Sequence, residues 1–185
     1  MENERLYNET ILLIGPSGAG KSTVAEELSK ITHLQRLCLD RIANHDRDTG
    51  FMRRFRSADE YNAFMIKTQL ERAEKLGIPG IVDFGAGHSV YDNEDIFDYV
   101  KKLLSKFKNV VLLLPTQDIE KSLQILASRS TGDYSPNRKF ITSPCNNELA
   151  TMTIYENGRK PNEIAEEIIR IIESRNKSKE DGEER

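Results

Sequence analysis

ILLIGPSGAGKS, residues 11–22, joins four consecutive apolar residues to a glycine-rich loop that ends in lysine and serine. The run from Ile11 to Ile14 is typical of a strand buried on both faces of a parallel sheet. Gly15 to Ser22 fits the pattern G-x-x-x-x-G-K-[ST] at every position. Lys21 to Ile31 follows with apolar residues at helical spacing, so a predicted strand precedes the loop and a predicted helix follows it. This combination predicts a phosphate-binding loop, and the alternative is a glycine-rich structural turn.

The residue types of the loop suit a nucleotide. Glycines let the backbone N–H groups turn inward around phosphate oxygens, and the following helix points its positive end at the same place. Lys21 would bridge the β and γ phosphates, and the Ser22 hydroxyl would ligate Mg²⁺. We therefore predict ATP and Mg²⁺ as cofactors. The predicted nucleotide-binding residues are Gly15, Pro16, Ser17, Gly18, Ala19, Gly20, Lys21, Ser22 and Thr23.

Strand and helix patterns alternate along the rest of the chain. Further strands are predicted at 34–39, 81–83, 110–114 and 151–155, and further helices at 57–76, 96–107, 119–127 and from 161 onward. The second helix has a capping box, Ser57 with Glu60, and a stop at Gly77. Its predicted apolar face follows Tyr61, Phe64, Thr68, Ala73 and Leu76. Such alternation predicts an α/β fold, a parallel sheet with helices on both faces.

Composition limits the remaining possibilities. The 185 residues suit one domain, predicted as 1–174 with a charged flexible tail at 175–185, and 128–144 shows too little periodicity for a helix. A net charge of −3 provides no basic field for nucleic acid or a membrane surface, so we expect neither as a partner. No secretory signal is evident, and we expect a cytoplasmic protein. Cys38 and Cys145, far apart, are expected to be buried reduced thiols.

Two carboxylates are predicted to lie beside the loop. Asp40 and Asp83 each follow a predicted strand, and the carboxyl ends of parallel strands meet at one edge of a sheet. One could hold the metal together with Ser22, and the other could orient the acceptor hydroxyl. The alternative is that each caps the helix that follows it. The turn Gly85–Gly87 could let a substrate approach the backbone, or it could be a simple turn.

The order of these features resembles the shikimate kinase group of small P-loop kinases. The matching features are the phosphate loop, Asp40, Asp48–Thr49–Gly50, the helix through Phe64, the turn at Gly85–Ala86–Gly87, the strand 110–114, an arginine-bearing segment and Pro144 to Ala150. The resemblance implies a three-layer P-loop NTPase fold with strand order 2-3-1-4-5. It also implies a mobile lid, at about 129–144, that closes over ATP. Arg129 would then stabilise the transferring phosphate, although it could instead be a solvated arginine at a helix end.

The sequence departs from the shikimate kinase pattern where the acceptor would bind. Ile42 replaces the second carboxylate of the D-x-D pair, Met65 and Thr142 replace two arginines, and Ala86 interrupts the three-glycine turn. We therefore expect a small anionic acceptor other than shikimate. The predicted acceptor-binding residues are Arg53, Arg54, Arg56, Gly85 and Gly87. The three arginines could equally form a solvated basic face.

The sequence thus predicts an ATP-dependent small-molecule kinase with Lys21, Asp40 and Arg129 as catalytic residues. Ser22, Asp40 and Asp83 are the candidates for holding the metal. One alternative is a nucleotide-binding switch that transfers no phosphoryl group, and the other is a true shikimate kinase with a divergent acceptor site. The acceptor, the oligomeric state and the division of roles between Asp40 and Asp83 stay open.

Overall fold

A computed structural model describes residues 4–129 and 136–183. At its centre is a parallel sheet of five strands: β1 (Ile11–Ile14), β2 (Gln35–Cys38), β3 (Gly80–Asp83), β4 (Asn109–Leu114) and β5 (Met152–Tyr155). The strand order is β2-β3-β1-β4-β5, and every neighbouring pair is parallel. The order predicted from the resemblance is therefore confirmed.

Helices connect the strands and cover the sheet. They are α1 (Glu4–Glu9), α2 (Lys21–Thr32), α3 (Leu39–Asp48), α4 (Ala58–Leu76), α5 (Glu94–Leu104), α6 (Ile119–Ser128), α7 (Pro136–Thr142), α8 (Pro144–Leu149) and α9 (Pro161–Glu183). Short 3₁₀ helices form at Phe51–Arg54 and Ala86–Ser89. Of the helices in the described ranges, none is both long enough and apolar enough to cross a membrane.

The sheet is buried on both faces, which explains its uninterrupted apolar strands. Leu12 and Ile14 of β1 pack in a core with side chains of α4, α5 and α8. Ile11 and Leu13 of the same strand point the other way and pack against α2 and α9. Successive side chains of a strand alternate between faces, so one apolar strand contributes to two cores. The predicted three-layer arrangement is confirmed.

Helix α4 has the predicted ends but a different buried face. The Ser57 hydroxyl accepts the backbone N–H of Glu60 at 3.1 Å, and Gly77 ends the helix in the left-handed conformation. The buried residues are Tyr61, Asn62, Ala63, Met65, Ile66 and Leu70. Phe64 is 43% exposed and Leu76 is 61% exposed, so the predicted apolar face was wrong. Phe64 instead packs beside the rings of Phe51 and Phe55, away from the sheet.

The structure also corrects two connections. The second strand ends at Cys38 and not at Leu39, because the chain turns directly into α3. Within 128–144, where no helix was predicted, α7 forms and places Ile141 beside Ala19 and Leu126. A seven-residue helix is too short to show apolar periodicity, which explains why the sequence did not reveal it.

Parts of the predicted lid and tail are described only in outline. Residues 130–135 of the lid lie outside the described ranges, and its mobility stays a prediction. The backbone of α9 is helical as far as Glu183, well past the predicted domain end at 174. Cys145 is buried as expected, whereas Cys38 is only half-buried, and both are free thiols.

Candidate active site

The phosphate loop connects β1 to α2 and lines a cavity of about 320 Å³. Gly15 has a φ of +133°, and a side chain there would run into the backbone oxygen of Leu113 on β4. Only glycine combines that conformation with so close an approach to a neighbouring strand. Residues of the loop line the cavity together with Asp40 and Ala86. The loop therefore faces the carboxyl ends of β2 and β3, as the sequence predicted.

Lys21 lies at the base of the loop and is 7% exposed. Its ammonium donates hydrogen bonds to the backbone oxygens of Gly15 at 2.9 Å and Pro16 at 2.8 Å. Burial lowers the pKa of Lys21 to about 8, against the opposing pull of Asp83 and Asp40. A phosphate oxygen would replace these carbonyl contacts with a stronger, charged partner.

Ser22, Asp83 and Arg36 form a chain of short contacts next to Lys21. The Ser22 hydroxyl donates to Asp83 Oδ2 at 2.8 Å. Arg36 Nη2 on β2 donates to the same oxygen at 2.6 Å, and Arg36 Nη1 reaches Glu26 on α2 at 2.7 Å. Asp83 is only 2% exposed. Its carboxylate caps no helix; it binds a loop hydroxyl and a guanidinium that the sequence did not single out.

Asp40 stands in the first turn of α3 and faces the same cavity. The residue that caps α3 is Cys38, so helix capping does not explain the carboxylate. Asp40 is partly open to solvent. Burial of part of the group raises the pKa of Asp40 above its usual range, while Lys21 lowers it and Asp83 raises it further. Arg47, near the end of the same helix, also lowers this pKa.

The turn after β3 is fixed by His88, which was given no role from the sequence. His88 is 5% exposed, and its Nδ1 accepts the backbone N–H of Gly85 at 2.8 Å. Burial and the charge of Lys21 lower the pKa of His88 to about 4, so the ring is neutral at physiological pH. The Asn62 side chain donates to Gly87 O at 3.0 Å. Because His88 takes the Gly85 N–H, that group is not free to bind a substrate.

The site leaves no room for a side chain at Gly85. Its φ of −65° is open to any residue. A side chain would, however, collide with the Asp40 carboxylate and come within 2.8 Å of His88 Cε1. The glycine is thus required by the close approach of Asp40, and not by an unusual backbone conformation.

Solved structures of small kinases share this architecture. A shikimate kinase from Acinetobacter baumannii, in complex with shikimate, matches with a TM-score of 0.63 at 19% identity, over 95% of this chain and 98% of that one. A shikimate kinase from Aquifex aeolicus matches with a TM-score of 0.60 at 17% identity, over 90% and 97%. A gluconokinase from Sinorhizobium meliloti matches with a TM-score of 0.59 at 18% identity, over 92% and 97%. The fold is that of the small P-loop kinases.

Sequence comparison adds nothing to this structural likeness. No protein-family model and no curated protein matches the chain. The P-loop kinase fold is therefore recognised through the sheet order and the loop.

Arg129, at the end of α6, contacts the phosphate loop of this P-loop kinase fold. Its Nη1 donates to Gly18 O at 3.2 Å and pairs with Glu156 at 2.5 Å. The arginine thus contacts the loop while its side chain stays 39% exposed at the helix end. Its catalytic role stays a prediction.

The three arginines predicted to bind the acceptor lie on and just after the 3₁₀ helix that follows α3. Arg53, Arg54 and Arg56 are all exposed, and the Arg54 guanidinium lies 5.1 Å from the centre of the Phe51 ring. None of the three lines the phosphate cavity. Their part in acceptor binding is untested by this geometry.

The structure shows the surroundings of two residues that depart from the shikimate kinase pattern, Met65 and Thr142. Met65 is 2% exposed and packs in the core from the buried face of α4. Thr142 uses its hydroxyl to donate to Arg138 O within α7. Neither side chain carries the positive charge of the arginine expected at its position.

Proposed function

We propose that this protein is an ATP-dependent kinase that transfers the γ-phosphoryl group to a small anionic acceptor. The observation that carries the proposal is the shared cavity, which is lined both by the phosphate loop and by Asp40. Lys21 supplies a positive charge at its base, and the Ser22 hydroxyl lies beside a buried carboxylate. Phosphoryl transfer depends mainly on positioning and on charge stabilisation, which this arrangement offers.

The residues present suit Mg²⁺. Because the Ser22 hydroxyl gives its proton to Asp83, its oxygen lone pairs remain available to a cation. Within 4–129 and 136–183, no three His, Cys, Asp or Glu side chains could hold a metal by themselves. That fits an ion held by few protein oxygens and completed by phosphates and water. Bound Mg²⁺ would neutralise charge on the phosphates.

The chain's own residues account for the remaining steps. Lys21 would exchange its contacts with Gly15 and Pro16 for phosphate oxygens, and Arg129 would add charge from its position beside Gly18. Asp40, which lines the cavity, would accept the proton of an acceptor hydroxyl. Its raised pKa makes it a better base than an ordinary aspartate.

An acceptor screen tests this function. ADP release would be measured with ATP and Mg²⁺, first alone and then with each of a panel of small hydroxy acids that includes shikimate and gluconate. Stimulation by an acid other than shikimate supports the proposal. Tight ATP binding with no stimulation by any acceptor would support the non-catalytic switch.

The exposed arginines give a prediction about the acceptor. Arg53→Ala, Arg54→Ala and Arg56→Ala would each be compared for the KM of ATP and of the best acceptor. An arginine that binds the acceptor should raise the acceptor KM roughly ten- to a hundredfold, because a charged hydrogen bond contributes about 1.5 to 3 kcal/mol. The KM of ATP should hardly change. Three silent substitutions would identify the segment as a solvated basic face.

Gly85→Ala should lower turnover by roughly ten- to a hundredfold, because the added methyl group displaces the Asp40 carboxylate from its position. Gly87→Ala serves as the stability control, since its methyl group would meet only Asn62 Nδ2, at 3.9 Å. Its unfolding midpoint should stay near that of the unmodified protein. If Gly85→Ala acts through Asp40, adding it to Asp40→Asn should cost little more; full additivity would contradict this explanation.

A further inference from the structure

Arg36 is a partly buried cation beside the proposed metal position, and the proposed chemistry does not use it. It lies on the edge strand β2 two residues before Cys38, which pairs with Asp83 on β3. Residues two apart on a strand share a face, so Arg36 extends along the sheet to Asp83. The contact at 2.6 Å joins side chains that are 47 residues apart in sequence. Parallel pairing of β2 with β3 creates this contact.

A contribution to the stability of the fold is a weak explanation for the Arg36 guanidinium at this position. Arg36 is 21% exposed and its second partner, Glu26, is 58% exposed. Arg36 Nε is buried without a hydrogen-bond partner among the described residues. An unsatisfied buried donor costs free energy, and buried ion pairs are often no more stable than apolar replacements. The contact with Asp83 therefore points to a role in the site.

The charges around the cavity show what that role would be. One Asp83 oxygen accepts both from Arg36 and from Ser22, so the carboxylate is already neutralised and directed at the hydroxyl. Asp40, by contrast, faces the cavity with no hydrogen bond to a described residue. A cation that enters beside Ser22 thus meets little uncancelled charge from Asp83, whereas the charge of Asp40 is opposed only by Lys21 and Arg47, with which it shares no hydrogen bond.

We infer that Arg36 is a positioning residue that holds Asp83 against Ser22 and cancels its charge, so that Asp83 orients the hydroxyl without itself attracting the metal. This inference rests on the proposed function, because it concerns the same nucleotide site. It assigns different roles to Asp40 and Asp83, which the sequence left interchangeable. It also predicts that Arg36 affects the coupling between Mg²⁺ binding and nucleotide binding.

The test measures the Kd of ADP by calorimetry at neutral pH, with Mg²⁺ and with a chelator. The ratio of the two values is the factor by which Mg²⁺ tightens binding. Arg36→Met should increase this factor roughly tenfold, because an uncancelled Asp83 would repel free ADP and attract the cation. Glu26→Gln removes the other partner of Arg36 outside the cavity and should leave the factor within about twofold. An unchanged factor in Arg36→Met, or an equal change in both variants, overturns the inference.

The double variant Arg36→Met with Asp83→Asn covers the case in which Arg36→Met alone does not fold. It removes both charges and leaves no unpaired buried ion. The factor should return to within about threefold of the unmodified protein, because the amide oxygen introduced by Asp83→Asn can still accept from Ser22. A factor far below that value would show that Asp83 ligates the metal directly, and would overturn the inference. Failure of the unmodified protein to bind ADP at all would overturn the proposed function itself.

Discussion

Replacing Lys21 with alanine should abolish phosphoryl transfer and leave a folded protein. The ammonium is the cation at the base of the cavity, and removing a preorganised charge of this kind costs on the order of a thousandfold in turnover. The loop should keep its shape, because Gly15 and the strands on either side of it determine the backbone path. Turnover would be measured with the best acceptor, and folding by circular dichroism and thermal unfolding.

Lys30→Ala provides the matched control for this substitution. Lys30 lies on the same helix and forms an exposed ion pair with Glu27, so its loss should change neither turnover nor folding noticeably. Unchanged turnover in Lys21→Ala would contradict the placement of the phosphates in the loop. Loss of the folded state in Lys21→Ala would instead mean that its contacts with Gly15 and Pro16 stabilise the loop.

Asp40→Asn should lower kcat by roughly a hundred- to ten-thousandfold, the range expected for loss of a general base. ATP affinity should change much less, because the amide fills the same space and the phosphates bind mainly to the loop. The two constants would be measured separately, by steady-state kinetics and by equilibrium binding.

Asp46→Asn is the control for Asp40→Asn, because it changes a carboxylate on the same helix. Asp46 accepts the Tyr61 hydroxyl at 2.9 Å, a bond that asparagine can also make, and Asp46 does not line the cavity. Its kcat should stay near that of the unmodified protein. A collapse of ATP affinity in Asp40→Asn with kcat preserved would show that Asp40 holds the nucleotide and is not the base.

The parts of the site that could be predicted are those set by local sequence. The loop between β1 and α2 is a continuous motif, and its chemistry requires glycines, lysine and serine at fixed spacing. The proximity of Asp40 and Asp83 could be predicted because the carboxyl ends of parallel strands lie at one edge of the sheet. The ends of α4 could be predicted because Ser57 and Gly77 are local signals.

The parts that could not be predicted depend on contacts between distant residues. Arg36 stands in an ordinary strand pattern, and only the register of β2 with β3 brings it to Asp83. His88 follows a glycine turn, but its bond to Gly85 N depends on how that turn folds against Asp40. Helix α7 is too short to carry a periodic signal, and packing of Ile141 on Ala19 fixes it.

The most direct measurement follows the phosphoryl group itself. ATP with radioactive phosphorus in its γ-phosphoryl group would be incubated with the protein, Mg²⁺ and the acceptor panel, and the products separated. We expect label in a small organic phosphate that forms only when an acceptor is present and does not form with Lys21→Ala. Label that stays in ATP, or appears only as inorganic phosphate whatever acceptor is added, would contradict the claim that this protein is a small-molecule kinase.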